Sequence, residues 1–175
     1  MDYKEGSVTE KIFIDSDIIL DVLAEREEFV EGAAELFELS HLNKVELFTT
    51  AVVLANVFYM LRKTSGIEKA KKNLQKLRLI IRVLPIDEKI VDLSLNSQFN
   101  DFEDGLQYFA AKENNISILI TRNGKHYKVD DIIVETAEEY ITSKSNGVVQ
   151  KPSVSEQIPL KTAISQPKGE ELPDL

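Results

Sequence analysis

Short runs rich in β-branched residues alternate along this chain with longer stretches in which apolar residues recur every three to four positions. Lys11 to Asp15 predicts a strand with an aspartate at its end. A short helix, Asp17 to Ala24, follows with Ile18, Ile19, Val22 and Leu23, and Ser16 or Asp17 is placed to cap it. Phe29 to Leu42 predicts a longer helix with Phe29, Ala33, Leu36, Phe37 and Leu39 turned inward. After a turn at Asn43-Lys44 comes the strand Val45 to Thr49, and Thr50 caps a helix running through Lys63. That helix is apolar nearly all round, which predicts a central position. Ser65-Gly66 breaks it, the helix Ile67 to Leu77 follows, and Ile80 to Leu84 is a strand ended by Pro85. Asp87 caps a helix from Glu88 to Phe99.

The stretch Phe99 to Asn123 carries the densest signal. Asp101, Glu103 and Asp104 crowd the first turn of a helix whose Phe102, Leu106, Phe109 and Ala110 recur at the spacing of one face. Asn114-Asn115 stops it, and Ile116 to Ile120 is too short and too β-branched for anything but a strand. A loop after Asn123-Gly124 leads to the strand Ile132 to Val134 and a final helix, Ala137 to Ile141. Strands that alternate with helices of ten or so residues imply an α/β fold, a three-layer α/β/α sandwich around a central, mostly parallel sheet. Residues 1–10 read as a leader and 11–144 as the domain. Residues 145–175 read as a flexible or partner-ordered extension, because four of the five prolines follow Thr142 and no aromatic follows Tyr140.

Composition narrows the chemistry. The 175 residues are 43% hydrophobic and 29% charged, suited to one core. With no cysteine, a disulfide framework, a thiolate nucleophile and a Cys-type zinc site are excluded. No apolar run approaches the length of a membrane span and residues 1–10 are polar, so a cytoplasmic protein is expected. No glycine-rich nucleotide loop is present. The net charge of −9 argues against a general nucleic-acid coat, yet the segment 62–82 carries eight Lys and Arg against Glu68 alone. It is either a solvated helix face or a surface that follows phosphates.

In open parallel sheets, ligands bind outside the carboxyl ends of the strands. Asp15 and Asn123 fall at such ends, and Asp104 begins a helix near the second. Asp101 and Asp104 also suit a plain helix cap, so the carboxylates alone leave both readings open.

Four segments resemble the PIN-domain family, metal-dependent nucleases whose small members include the VapC-type toxin ribonucleases. IDSDIILD (14–21) is similar to the opening strand with its first aspartate, here Asp15, and a polar residue two on, here Asp17. TTAVVLANVFYML (49–61) is similar to the segment that usually carries a glutamate, where this chain has Asn56. DFEDGLQYFAA (101–111) resembles the segment with the third acid, here Asp104, and ITRNGKHY (120–127) the strand end that usually closes with an aspartate, here Asn123. The resemblance covers roughly Lys11 to Ile141 and implies an Mg²⁺- or Mn²⁺-dependent ribonuclease, the toxin of a toxin–antitoxin pair. On that reading Asp15, Asp104 and Asn123 hold metal, and Asp101 or Glu103 orients a water or a second ion. Asp17, Asn56 and Thr121 support them, while Arg122, Lys125 and Lys128 meet the substrate backbone. His126 sits in a polar loop where it is either a general acid or simply exposed. The implied partners are single-stranded or structured RNA, an inhibitory antitoxin and a second copy of the chain, with no membrane. Because Asn56 and Asn123 keep an oxygen but lose a charge, a catalytically impaired PIN-like binding module is the alternative.

Overall fold

The computed structural model describes residues 9–147. Most of the proposed leader and of the proposed extension lies outside those residues.

Five strands form one wholly parallel sheet in the order β3-β2-β1-β4-β5: β1 (Glu10–Ile14), β2 (Val45–Thr50), β3 (Ile81–Leu84), β4 (Ile118–Ile120) and β5 (Ile133–Glu135). Ile12, Phe13 and Ile14 are completely buried, as a central parallel strand covered on both faces requires. The helices are α1 (Ser16–Leu23), α2 (Val30–His41), α3 (Ala51–Ser65), α4 (Ile67–Leu77), α5 (Glu88–Leu95), α6 (Phe102–Glu113) and α7 (Ala137–Gly147). Helices α1, α2, α3 and α7 contact one another in series, while α5 and α6 pack together as a separate pair. The result is the expected three-layer sandwich.

The chain builds outward from β1 to β2 and β3, then returns to lay β4 on the other side of β1. Connections therefore leave β1 and β4 in opposite directions, and a crevice opens between their carboxyl ends. Asp15 follows β1 and Thr121 follows β4, so both stand at this switch point. The two strand ends are joined by the Asp15 amide donating to the Ile120 carbonyl at 3.1 Å. On the other flank, Thr49 Oγ1 donates to the Ile14 carbonyl at 3.0 Å and ties β2 to the same point.

Several elements depart from their sequence reading for local reasons. Helix α3 is not central: only Val53, Val57 and Leu61 are buried, while Tyr59 and Met60 are nearly half exposed. Its partner on the open side is α4, across Gly66, whose φ of 83° places the turn between them in a region that favours glycine. Helix α5 stops at Leu95 rather than Phe99 because Asn96 and Ser97 bond back to the carbonyls of Asp92 and Ser94. Strand β4 begins at Ile118 rather than Ile116, since α6 closes with Asn115 at φ 55° and with the amides of Asn115 and Ile116 on the carbonyls of Lys112 and Ala111. Phe102 is 44% exposed rather than part of the inward face, which Leu106, Ala110 and Ala111 supply. Helix α7 runs to Gly147 instead of Ile141, and Glu10 at the start of β1 is bound by Tyr140 and Lys144 of that helix.

Candidate active site

Asp15 is both the strand end and the N-cap of α1, its carboxylate accepting from the Ser16 amide. The expected caps, Ser16 and Asp17, lie inside the helix. Two side chains from elsewhere in the chain finish the Asp15 shell. Gln107 Nε2 of α6 donates to Oδ1 at 3.1 Å, and Thr121 Oγ1 donates to Oδ2 at 3.0 Å. Thr121 is completely buried and also accepts the Asn123 amide at 3.1 Å.

Asp101 caps α6 by accepting the Glu103 amide at 2.8 Å, which places Glu103 and Asp104 in the first turn, where the helix dipole favours negative charge. Asp104 is buried at the rim. One oxygen lies 3.3 Å from the Tyr127 hydroxyl and the other 3.2 Å from His126 Nδ1. The Tyr127 hydroxyl also sits 3.4 Å from Gln107 Oε1, so Gln107 and Tyr127 connect the Asp15 and Asp104 shells. Burial, then the charges of Asp101 and Asp15, push the Asp104 carboxyl above its ordinary pKa. Burial together with Asp15 and Asp104 pushes the Tyr127 phenol far up, so it stays protonated as a donor.

Glu103 reaches across to α3, where Asn56 Nδ2 donates to its Oε2 at 2.6 Å. Burial raises the Glu103 pKa, Asn56 opposes that rise, and Asp15, Asp101 and Asp104 add to it. Its other oxygen, Oε1, is buried with no hydrogen-bonding partner among the described residues.

Beneath the rim lies a second charged layer. Asp17 Oδ2 accepts the Arg122 amide at 2.9 Å, and Arg122 Nε stands 3.6 Å from Asp17 and 3.4 Å from Asp21. Arg26 also meets Asp21, at 3.3 Å, while the Arg122 guanidinium lies 4.3 Å from the centre of the Phe29 ring. Arg122 is therefore committed to the protein interior rather than turned toward a substrate backbone. Lys125 and Lys128 are exposed and carry no ion pair among the described residues.

The fold thus gathers Asp15, Asp104, Thr121, Glu103, Asn56 and Asp101 at one end of the sheet, with Asp17 just below. The Asn123 side chain is exposed at the edge and makes no hydrogen bond among the described residues. The sequence reading missed Gln107, Tyr127 and Asp21. Gln107 stands one turn after Asp104 and Asp21 one turn after Asp17, spacings that put each pair on one helix face. Nothing local marks Tyr127.

The donor set fits a hard divalent cation. All its ligating atoms are oxygens, burial and the neighbouring carboxylates push the Glu103 and Asp104 pKa values up, and Glu103 Oε1 lacks a protein donor among the described residues. Among the described residues no three His, Asp or Glu side chains form a ready-made metal cage. Mg²⁺ commonly takes only one or two carboxylates and keeps several waters, so a two-carboxylate rim is sufficient.

Residues 11–125 match the family model described as PIN domain. Ribonuclease VapC1 of Aquifex aeolicus (strain VF5) is 28% identical over 137 residues, covering 75% of this chain and 94% of that protein. Among solved structures, VapBC2 from Rickettsia felis bound to a DNA fragment from their promoter superposes with a TM-score of 0.56 at 17% identity, over 72% of this chain and 98% of that one. VapC20 of Mycobacterium tuberculosis, a sarcin-ricin loop cleaving toxin, superposes with a TM-score of 0.53 at 15% identity, over 66% of this chain and 92% of that one.

Proposed function

This chain belongs to the PIN domain family, and from that premise we propose that it is an Mg²⁺- or Mn²⁺-dependent endoribonuclease, the toxin of a toxin–antitoxin pair. The observation that carries the proposal is the convergence of Asp15 and Asp104 at the sheet's switch point, their shells joined by Gln107 and Tyr127. Similarity to a protein named ribonuclease supports the activity, and similarity to VapBC2 supports an inhibitory protein partner. On the same reading the protein is cytoplasmic and acts as a homo-oligomer.

Asp15 and Asp104 would hold the cation, with Asn123 as an outer oxygen ligand. When bound there, such an ion would supply Lewis-acid chemistry, offsetting phosphate charge and lowering the pKa of water. The chain's own residues do the positioning. Thr121 and Gln107 fix the two oxygens of Asp15 in place, and Tyr127, always protonated, steadies Asp104. Asp101 and Glu103 orient water at the α6 terminus, and Asn56 holds Glu103 there. Lys125 and Lys128 meet the RNA backbone, a role in which Arg122 does not share.

A second reading, a PIN fold that binds RNA or a partner without cutting, rests on Asn56 and Asn123, which remove two charges from the family pattern. Mn²⁺ affinity and cleavage of single-stranded RNA, measured together, separate the two. By mass action Mn²⁺ should raise the melting temperature, and Asp104→Asn should weaken that response and abolish cleavage. Asn123→Asp should tighten Mn²⁺ binding and raise cleavage at limiting metal. Tighter binding without any cleavage would favour the second reading. No response to Mn²⁺ in either protein would refute both metal assignments.

A further inference from the structure

We propose that the exposed face of α3, centred on Tyr59 and continued onto α4, is a clamp for single-stranded RNA. This deepens the ribonuclease reading and rests on it for the identity of the polyanion.

The placement begins at the rim. Asn56 is tied to Glu103, and the next residues on the same face of α3 are Tyr59 and Met60, then Lys63. At 1.5 Å per residue these lie roughly 5 and 10 Å farther from the rim. Tyr59 is 47% exposed, a large aromatic surface left open to water beside the site. Two cations flank its ring: Arg62 at 4.6 Å from the ring centre and Lys63 at 4.0 Å. Among the described residues neither forms an ion pair, nor do Lys69, Lys72 and Lys76 of α4. Those three lysines recur at i, i+3 and i+7 and so form a stripe away from the buried Ala70 and Leu77.

Unpaired positive charge of this density, on a protein whose net charge is −9, selects a polyanion and not an acidic protein surface at large. The aromatic residue among the cations selects which polyanion. An exposed ring offers a stacking platform to an unpaired base, and adjacent cations take its phosphates, the combination that holds single strands. A duplex, with its bases already stacked internally, gains only the charge contribution. When a base settles on Tyr59, the flexible Lys63 stem can swing from the ring to the neighbouring phosphate.

The test is fluorescence anisotropy of a dye-labelled single-stranded RNA of about a dozen nucleotides, with EDTA present so that no cleavage occurs. The same strand in a duplex is the comparison. Tyr59→Ala should weaken single-strand binding about tenfold and leave duplex binding nearly unchanged, and Tyr59→Phe should restore it. Arg62→Ala with Lys63→Ala should weaken both ligands and flatten the salt dependence, by roughly 0.7 in log–log slope for each phosphate no longer neutralised. The same variants should raise KM for cleavage and leave kcat unchanged. Binding by Tyr59→Ala equal to wild type overturns the clamp, as does a wild type that prefers duplex. A change in molar mass by light scattering, with RNA affinity unchanged, also overturns it and makes this face a self-association surface. A wild type that binds single strands through Tyr59 yet cleaves nothing with Mn²⁺ leaves the clamp standing and removes the nuclease reading instead.

Discussion

Thr121→Val removes one hydroxyl from the centre of the site and leaves the shape almost unchanged. In the wild type that hydroxyl donates to Asp15 Oδ2 at 3.0 Å and accepts the Asn123 amide at 3.1 Å, at a position with no solvent access. A hydrogen bond to a charged partner contributes about 1.5–3 kcal/mol, and a partly buried amide left without an acceptor costs about 1 kcal/mol more. The added methyl offsets roughly 1 kcal/mol of this through apolar burial. The expected net loss is about 1.5–3 kcal/mol.

Thr121→Ser supplies the control, since it keeps both hydrogen bonds and removes only a methyl, for about 1 kcal/mol. Urea unfolding at pH 7.5 without added metal reads both. With a slope of roughly 2 kcal/mol per molar, the valine variant should unfold about 1 M earlier than wild type, and the serine variant about half as much earlier. A valine variant as stable as the serine variant would mean that Asp15 does not depend on the Thr121 donor. The account of how the first carboxylate is held would then be wrong.

Burial, with Asp15 adding to it, pushes Asp17 up to about 6 from 3.8, so the folded state holds this proton more tightly than the unfolded chain does. The resulting stability is complete below pH 3.8 and is lost as the pH rises through about 6. Asp17→Asn should therefore raise the melting temperature at pH 7.5 but not at pH 4, and an equal effect at both would refute the assignment. Arg122→Gln should do the opposite at pH 7.5, costing about 3 kcal/mol or more because Asp17 and Asp21 lose their shared buried cation. That loss should shrink on acidification in chemical unfolding; a loss independent of pH would point to the Phe29 stacking interaction instead.

The parallel sheet was legible because a strand buried on both faces needs an unbroken apolar run, and Ile12-Phe13-Ile14 and Ile118-Leu119-Ile120 are such runs. Caps were legible wherever a short polar side chain met an apolar period, as at Thr50, Asp87 and Asp101. Helix α3 was misplaced because an all-round apolar helix has two causes, burial within the core or a second, open surface, and periodicity does not separate them. In the site, the acids could be ranked from strand ends and first turns, which are local features. The interactions that organise them could not. Gln107 reaches Asp15 across 92 positions and Thr121 across 106, and such pairings exist only once the sheet order is fixed. Arg122 shows the converse failure: in sequence it stands beside exposed lysines, but Asp17 and Asp21 draw it inward.

The two asparagines where the family pattern has acids are not equivalent in this fold. Asn123 is exposed at the edge with its side chain unbound among the described residues, so an aspartate there adds charge without breaking any hydrogen bond. Asn56 is already used: its amide donates to Glu103, and this bond opposes the rise in the Glu103 pKa that burial and the three neighbouring aspartates impose. A glutamate at position 56 would have no proton to donate and would set a fourth like charge against Glu103. The pair Asn56–Glu103 therefore places at the α6 terminus, on Glu103, the charge that the family pattern places on α3. The rim therefore has a carboxylate on that side, carried by α6, with Asn56 as its hydrogen-bond support.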